Sequence, residues 1–193
     1  MRRKFIAGIV VAIALAGAAF VWHDRQQEII EPVVDSAAIA RSVKRLAKSC
    51  EVKRVSDGDT IVVRCHSEEV KIRFCGIDAP ERSQPLGQAS RAKLRELMAI
   101  NGGRVLVTEI ERDRYGRTVA EVEVVKGDKQ LFVNAEMVRS GLAYHYERYS
   151  KNCPHRQAIA SAESEAKSKR LGVWNGDYER PWDYRKHQRS NSL

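Results

Sequence analysis

The apolar positions of this chain change their spacing twice. Residues 5–22, FIAGIVVAIALAGAAFVW, are one uncharged run. Residues 23–49 are polar, a linker with one weakly helical stretch. There Asp35 is placed to cap AAIARSVKRLAK, in which Ile39, Val43 and Leu46 recur at helical spacing. From about Val52 the period shortens to that of strands. VKRV, DTIVVRC and EEVKIRF are β-rich runs separated by SDGD and HSEE. RVLVTEIE and TVAEVEVV are two more, and VVKGDKQL turns at Lys126-Gly127-Asp128.

Helical segments interleave with these strands. They are predicted at Gln88–Leu97, before Asn101-Gly102-Gly103, at Asn134–Gly141, and at His155–Arg170, which Leu171-Gly172-Val173-Trp174 ends. Five strands interleaved with helices predict an α+β protein, a small closed or partly open barrel carrying helices; OB-like barrels are one such architecture and often bind oligonucleotides. The expected organisation is an apolar segment at 1–22, a linker at 23–49, the barrel domain at 50–176 and a basic tail at 177–193.

The apolar run carries the targeting information. Arg2, Arg3 and Lys4 precede it, as in an export signal. Ala16-Gly17-Ala18 offers small residues for cleavage, yet the run of 18 residues is long enough to span a bilayer, and Trp22 suits its interface. A removed signal peptide and a retained membrane anchor both stay open. Either outcome exports the remainder to the periplasm or the extracellular space, tethered to the inner or plasma membrane if residues 5–22 are kept.

The formal charge of +9 and a pI of about 9.6 suit a polyanionic partner. Losing Arg2, Arg3 and Lys4 would lower the charge by three, to +6, so the remaining chain is basic too.

The four cysteines, Cys50, Cys65, Cys75 and Cys153, fit an oxidising compartment and show no zinc spacing. A turn at Ser56-Asp57-Gly58 places Cys50 and Cys65 opposite each other across a hairpin. That predicts a Cys50–Cys65 disulfide and leaves Cys75–Cys153 by elimination; buried free thiols are the alternative.

Three charged clusters carry candidate chemistry. In SDGDT (56–60), turn chemistry explains Asp57-Gly58 but not Asp59, which is poor strand material. In RFCGIDAPE (73–81), Asp78 and Glu81 stand three apart across Ala79-Pro80, whose backbone is restrained. A hard cation takes oxygen ligands, which Asp59, Asp78 and the carbonyl of Ala79 supply. In ERDRYGRT (111–118), Arg117 suits a phosphate, with Arg114 and Tyr115 beside the substrate. Taken alone, the first two clusters read more readily as solvated turns, and the third reads also as a solvated hairpin. Together they supply two acids for a cation, one for a water and two arginines for a phosphodiester.

SDGDT, R-x-x-G-I-D-A-P-E and D-R-Y-G-R, in that order, resemble the staphylococcal (thermonuclease-like) nuclease family over about Cys50–Trp174. The PWDYRK tail resembles its bacterial members. The resemblance implies a five-stranded OB-like barrel with three helices. It also implies a monomeric endonuclease that uses Ca²⁺ to hydrolyse DNA and RNA with little sequence preference, leaving 3′-phosphates.

By motif match, Asp59, Asp78 and the Ala79 carbonyl bind Ca²⁺, Glu81 orients or deprotonates the attacking water, and Arg73 and Arg117 neutralise the phosphate. A binding module that holds nucleic acid without cutting it is the rival, although none of the five motif side chains is missing. Two features depart from the pattern. The connection at 82–87 is shorter than the loop of the secreted type enzyme. The tyrosines of 144–149, Tyr149 included, either stack on bases or pack on the barrel.

Overall fold

The computed structural model describes residues 47–191. The apolar run, the predicted capped segment and most of the linker lie outside the described residues. Among the described residues no helix is long and apolar enough to cross a membrane.

Five strands close into a barrel: β1 (Lys48–Val55), β2 (Thr60–Cys65), β3 (Glu68–Phe74), β5 (Arg104–Arg112) and β6 (Thr118–Lys126). Their order is β3-β2-β1-β5-β6, and a parallel pairing of β3 with β6 shuts the ring. Closure leaves these strands no exposed edge. Alternation along β2 shows how the sequence does this. Ile61, Val63 and Cys65 point inward, and Arg64 points out. Ile61, Val63, Ile72, Phe74, Val105, Val107 and Val122 fill the interior, essentially without solvent contact. Each such aliphatic side chain contributes roughly 1.5–3 kcal/mol of transfer free energy.

Three short strands complete the sheets. β7 (Lys129–Phe132) extends β6 through the Gly127-Asp128 turn. β4 (Ile77–Asp78) pairs antiparallel with β8 (Tyr144–His145). Such brief pairings carry no readable period.

Helices α1 (Gly87–Ala99), α2 (Val133–Arg139) and α3 (Arg156–Ser168) match the predicted ones to within a few residues. Leu94, Leu97 and Met98 of α1, Met137 and Val138 of α2, and Ile159 and Ala162 of α3 join the core. Gly141, at positive φ, ends α2 so close to residue 171 that a Cβ would stand 2.3 Å from the Leu171 carbonyl oxygen.

Within the expected basic tail lies a fourth helix, α4 (Pro181–Ser190). Proline at its first turn is preset for helix. Trp182 stacks on Tyr146, ring centroids 5.0 Å apart, and Arg180 lies 4.2 Å over the Tyr144 ring.

Both Cys50–Cys65 and Cys75–Cys153 are disulfides. The first follows from hairpin register, in which Glu51 faces Arg64. The second ties the end of β3 to the turn before α3.

Candidate active site

The candidate site lies where the chain leaves β3. Backbone bonds hold this exit from three sides: the Phe74 N–H donates to Asp59 O at 2.9 Å, the Cys75 N–H to Ala120 O at 2.8 Å, and the Tyr146 N–H to Gly76 O at 2.8 Å. The buried Asn134 side chain donates to Cys75 O at 3.0 Å and accepts from the Val122 N–H. β4, braced by β8, then delivers Asp78 to a position without solvent exposure.

Asp59 arrives from the β1–β2 turn. Its Oδ2 accepts the Ala79 N–H at 2.7 Å and its Oδ1 the Thr60 hydroxyl at 3.0 Å. Gly58 permits this approach. A Cβ there would stand 1.8 Å from Ser90 Oγ of α1 and 2.7 Å from Ala79 Cβ. The glycine that reads as hairpin chemistry is therefore required by close packing.

Arg73, opposite Thr60 in the β2–β3 register, bridges the two acids. Its Nη1 lies 3.0 Å from Asp59 Oδ1, and its Nη2 donates to Asp78 Oδ1 at 2.7 Å. Glu81 is fixed by the short 82–87 connection. The Glu81 N–H donates to Gln84 Oε1 at 2.9 Å, and Gly87 packs so near that a Cβ would meet the Glu81 carbonyl oxygen at 1.9 Å. The shortness noted in the sequence thus makes a tight clamp around the third acid.

Sequence reasoning missed two residues. Arg185 of α4 reaches into the acidic cluster, its Nη2 donating to Asp78 Oδ2 at 2.7 Å and its Nη1 to Glu81 Oε1 at 2.8 Å and Asp78 Oδ1 at 3.1 Å. The helix is held for this reach by a 2.8 Å bond between the hydroxyls of Tyr184 and Ser83, and by Gln84 Nε2 donating to Glu179 O. Only the PWDYRK resemblance hinted at it. The second is Asp57, whose Oδ1 accepts the Asp59 N–H at 3.0 Å. Its signal was the doubled acid of Asp-Gly-Asp.

The electrostatics follow from this crowding. Burial, and then the Asp59 charge, push the Asp57 carboxyl up to about 7. Burial likewise raises Asp78, against the pull of Arg185 and Arg73. Burial opposes the charge of Arg185, but its bonds to Asp78 and Glu81 win and raise its pKa. Asp57, Glu81, Arg82, Tyr184, Arg185 and Arg189 are among the residues lining a cleft of about 370 Å³.

Arg117, Arg114 and Tyr115 form a separate group on the β5–β6 hairpin, with no direct bond to the acids. Arg117 Nε donates to Asp113 Oδ2 at 2.7 Å, and its N–H to Asp113 Oδ1. Burial works against the Asp113 charge, yet Arg117 and the turn amides bring its pKa below the usual carboxylate value. Arg114 and Arg117 lie 4.8 and 5.6 Å from the centroid of the Tyr115 ring, which is 68% exposed. The 72–118 pairing of β3 and β6 brings this hairpin to the same end of the barrel as Arg73. Tyr149 is also exposed, beside Tyr146, whereas Tyr144 is core and Tyr146 packs under Trp182.

Among the described residues no three His, Cys, Asp or Glu side chains form a ready cation cage. The donor chemistry still fits a hard cation. Asp59 and Asp78 share Arg73, Ala79 lies between them and Glu81, and buried carboxylates such as Asp59 and Asp78 supply the oxygen ligands a hard cation takes.

Residues 71–176 match the family model described as staphylococcal nuclease homologue. The chain is 39% identical to a micrococcal nuclease of Shigella flexneri over 142 residues, 70% of this chain and 79% of that protein. It is 38% identical to an endonuclease of Escherichia coli O157:H7 over 135 residues, 69% and 82% of the two chains. With a staphylococcal-like nuclease of Arabidopsis thaliana it shares 30% identity over 181 residues, 84% of this chain and 53% of the plant protein.

Proposed function

Because the chain belongs to the staphylococcal nuclease homologue family and is a nuclease, we propose that it is a Ca²⁺-dependent endonuclease that hydrolyses both DNA and RNA with little sequence preference. The observation that carries this reading is the single network of Asp59, Arg73, Asp78, Glu81 and Arg185 at the β3 exit.

Asp59, Asp78 and the Ala79 carbonyl would hold the cation. When bound, Ca²⁺ supplies charge for the phosphate oxygens and orders a water. The protein groups do the rest. The Glu81 carboxylate, clamped by Gln84 and Gly87, orients the attacking water and accepts its proton. The water oxygen bonds to phosphorus, the bond from phosphorus to the 5′ oxygen breaks, and that oxygen takes a proton from solvent to leave as a hydroxyl, keeping the phosphate on the 3′ side. Arg73 from the barrel wall and Arg117 from the hairpin offset the charge that builds on the equatorial oxygens. Arg114, Tyr115 and Tyr149, exposed on the β5–β6 hairpin or on the short 3₁₀ turn after β8, contact the flanking nucleotides, the rings by stacking.

Two disulfides support an oxidising location. We therefore place the enzyme outside the cytoplasm, delivered by residues 1–22 and acting as a monomer. Mass spectrometry of the mature N-terminus decides between cleavage and anchorage.

The direct test incubates the protein with plasmid and with RNA, in Ca²⁺ or in chelator. Cutting of both only with Ca²⁺ is expected. A Glu81→Ala variant with near-normal turnover would sink the mechanism.

A further inference from the structure

Some cations of the described residues are held in ion pairs. Lys48 bonds Glu109, Arg64 bonds Glu69, Lys93 bonds Glu96, and Lys167 bonds Glu163. Among the cations without an ion pair, four arginines gather on one surface. Arg54 of β1, Arg82 of the 82–87 connection and Arg95 of α1 are exposed and make no ion pair among the described residues. Arg91 of α1 is half-buried and donates Nε to Val55 O at 3.2 Å, a carbonyl instead of an acid.

These arginines are neighbours. Arg54 and Arg95, with Lys53, line a groove of about 450 Å³ between β1 and α1, over apolar Val52, Val55 and Met98. Arg82 lines the catalytic cleft beside Glu81. Arg91 connects the two: burial, and then the charges of Arg95, Arg82 and Arg54, lower its pKa. Arg95, Arg82 and Arg54 each repel Arg91, and the opposing charge of Asp57 does not cancel them. A polyanion would.

We propose that Arg82, Arg91, Arg54 and Arg95 form a phosphate track that leads the nucleic-acid substrate from the cleft into the β1–α1 groove. The proposal rests on the nuclease reading and assigns that enzyme a second binding surface, away from the Arg117 hairpin. Guanidinium forks suit successive phosphates, and the apolar floor suits sugars and base faces. Continuity with the cleft favours a strand over a membrane surface. From Gly87 to Arg95, α1 advances about 12 Å at ~1.5 Å per residue. At ~3.4 Å of axis per phosphate, that is about three or four nucleotides. Only substrates longer than the cleft can use the track.

The test is length dependence, in the full chain with Arg54→Ala and Arg95→Ala combined. Binding of labelled single-stranded oligodeoxynucleotides is read by fluorescence anisotropy in chelator, so cutting is not required. For an oligonucleotide of about 20 nucleotides the dissociation constant should rise about tenfold or more, and the slope of log K against log salt should flatten by about 1.4, ~0.7 for each phosphate left without its arginine. For one of about three nucleotides it should change less than about twofold. Equal weakening on both lengths, no weakening on the longer one, or no binding by the parent overturns the track. Loss of binding to anionic vesicles with oligonucleotide binding intact assigns the surface to a membrane and also overturns it. A parent that shows the length-dependent binding but cuts nothing with Ca²⁺ refutes the Ca²⁺-dependent enzyme alone and leaves the track standing.

Discussion

Arg185 and a divalent cation want the same oxygens. The guanidinium fills Asp78 Oδ2 and shares Asp78 Oδ1 with Arg73. Positive groups on one carboxylate repel each other, so Arg185 opposes a cation at Asp78. Arg185→Gln should therefore bind Ca²⁺ several-fold tighter in calorimetric titration. It should also be less stable without Ca²⁺, by about 1–3 kcal/mol, because Asp78 keeps one fewer partner and Arg185 is one-third exposed. Unchanged or weaker Ca²⁺ binding would refute the competition.

The two arginines proposed for the phosphate, Arg73 and Arg117, should separate in the same way. Arg117 sits in an exposed turn, so Arg117→Ala should leave stability within about 0.5 kcal/mol while lowering kcat about a hundredfold or more. Arg73 is 13% exposed between two acids, so Arg73→Ala should lose both activity and melting temperature. A kcat for Arg117→Ala near the parent value removes Arg117 from the chemistry.

Among the elements, the two-residue pair β4–β8 matters out of proportion to its size, because it carries Asp78. His145 of β8 bonds Ser150 Oγ through Nε2 at 3.0 Å. Burial pulls its pKa below the ordinary 6.5, against the opposing Glu163 and Glu147 charges. The folded chain therefore holds the ring neutral at a pH where the unfolded chain protonates it. That contribution is intact above the ordinary histidine range and is lost as pH falls through 6.5. Denaturant melts at about pH 7.5 and about pH 5.5 should show His145→Gln losing less stability on acidification than the parent. An equal loss excludes His145 as the cause.

The β1–β2 turn makes a second case. Gly58→Ala forces a methyl against Ser90 and Ala79. It should cost about 1–3 kcal/mol and weaken Ca²⁺ binding by displacing Asp59, both measurable in one titration series.

At the scale of the molecule, the two disulfides differ in the chain they enclose, 15 and 78 residues of separation. By chain entropy the Cys50–Cys65 bond contributes about 3 kcal/mol and Cys75–Cys153 about 4–5 kcal/mol. Calorimetry of the two double Cys→Ser variants should show the larger fall in melting temperature for the second pair, and the reverse order would refute this. The sequence alone determined the barrel strands, the first three helices, the facing of Cys50 with Cys65 and the acidic and basic motifs, while Cys75–Cys153 followed only by elimination. Those are written in short-range patterns: strand alternation, helical spacing, the hairpin that faces Cys50 with Cys65, and the carboxylates spaced by Ala79-Pro80. It did not reveal α4, since PWDYRKHQRS has too few apolar residues for a helical stripe, and its packing comes from Trp182 on Tyr146. Tertiary structure alone decided that Arg185 crosses 107 residues to Asp78, that Asp57 is crowded rather than solvated, and that Arg117 stands apart from the acids. Such contacts depend on which surfaces the closed barrel brings together, and local pattern carries no record of partners so distant in the chain.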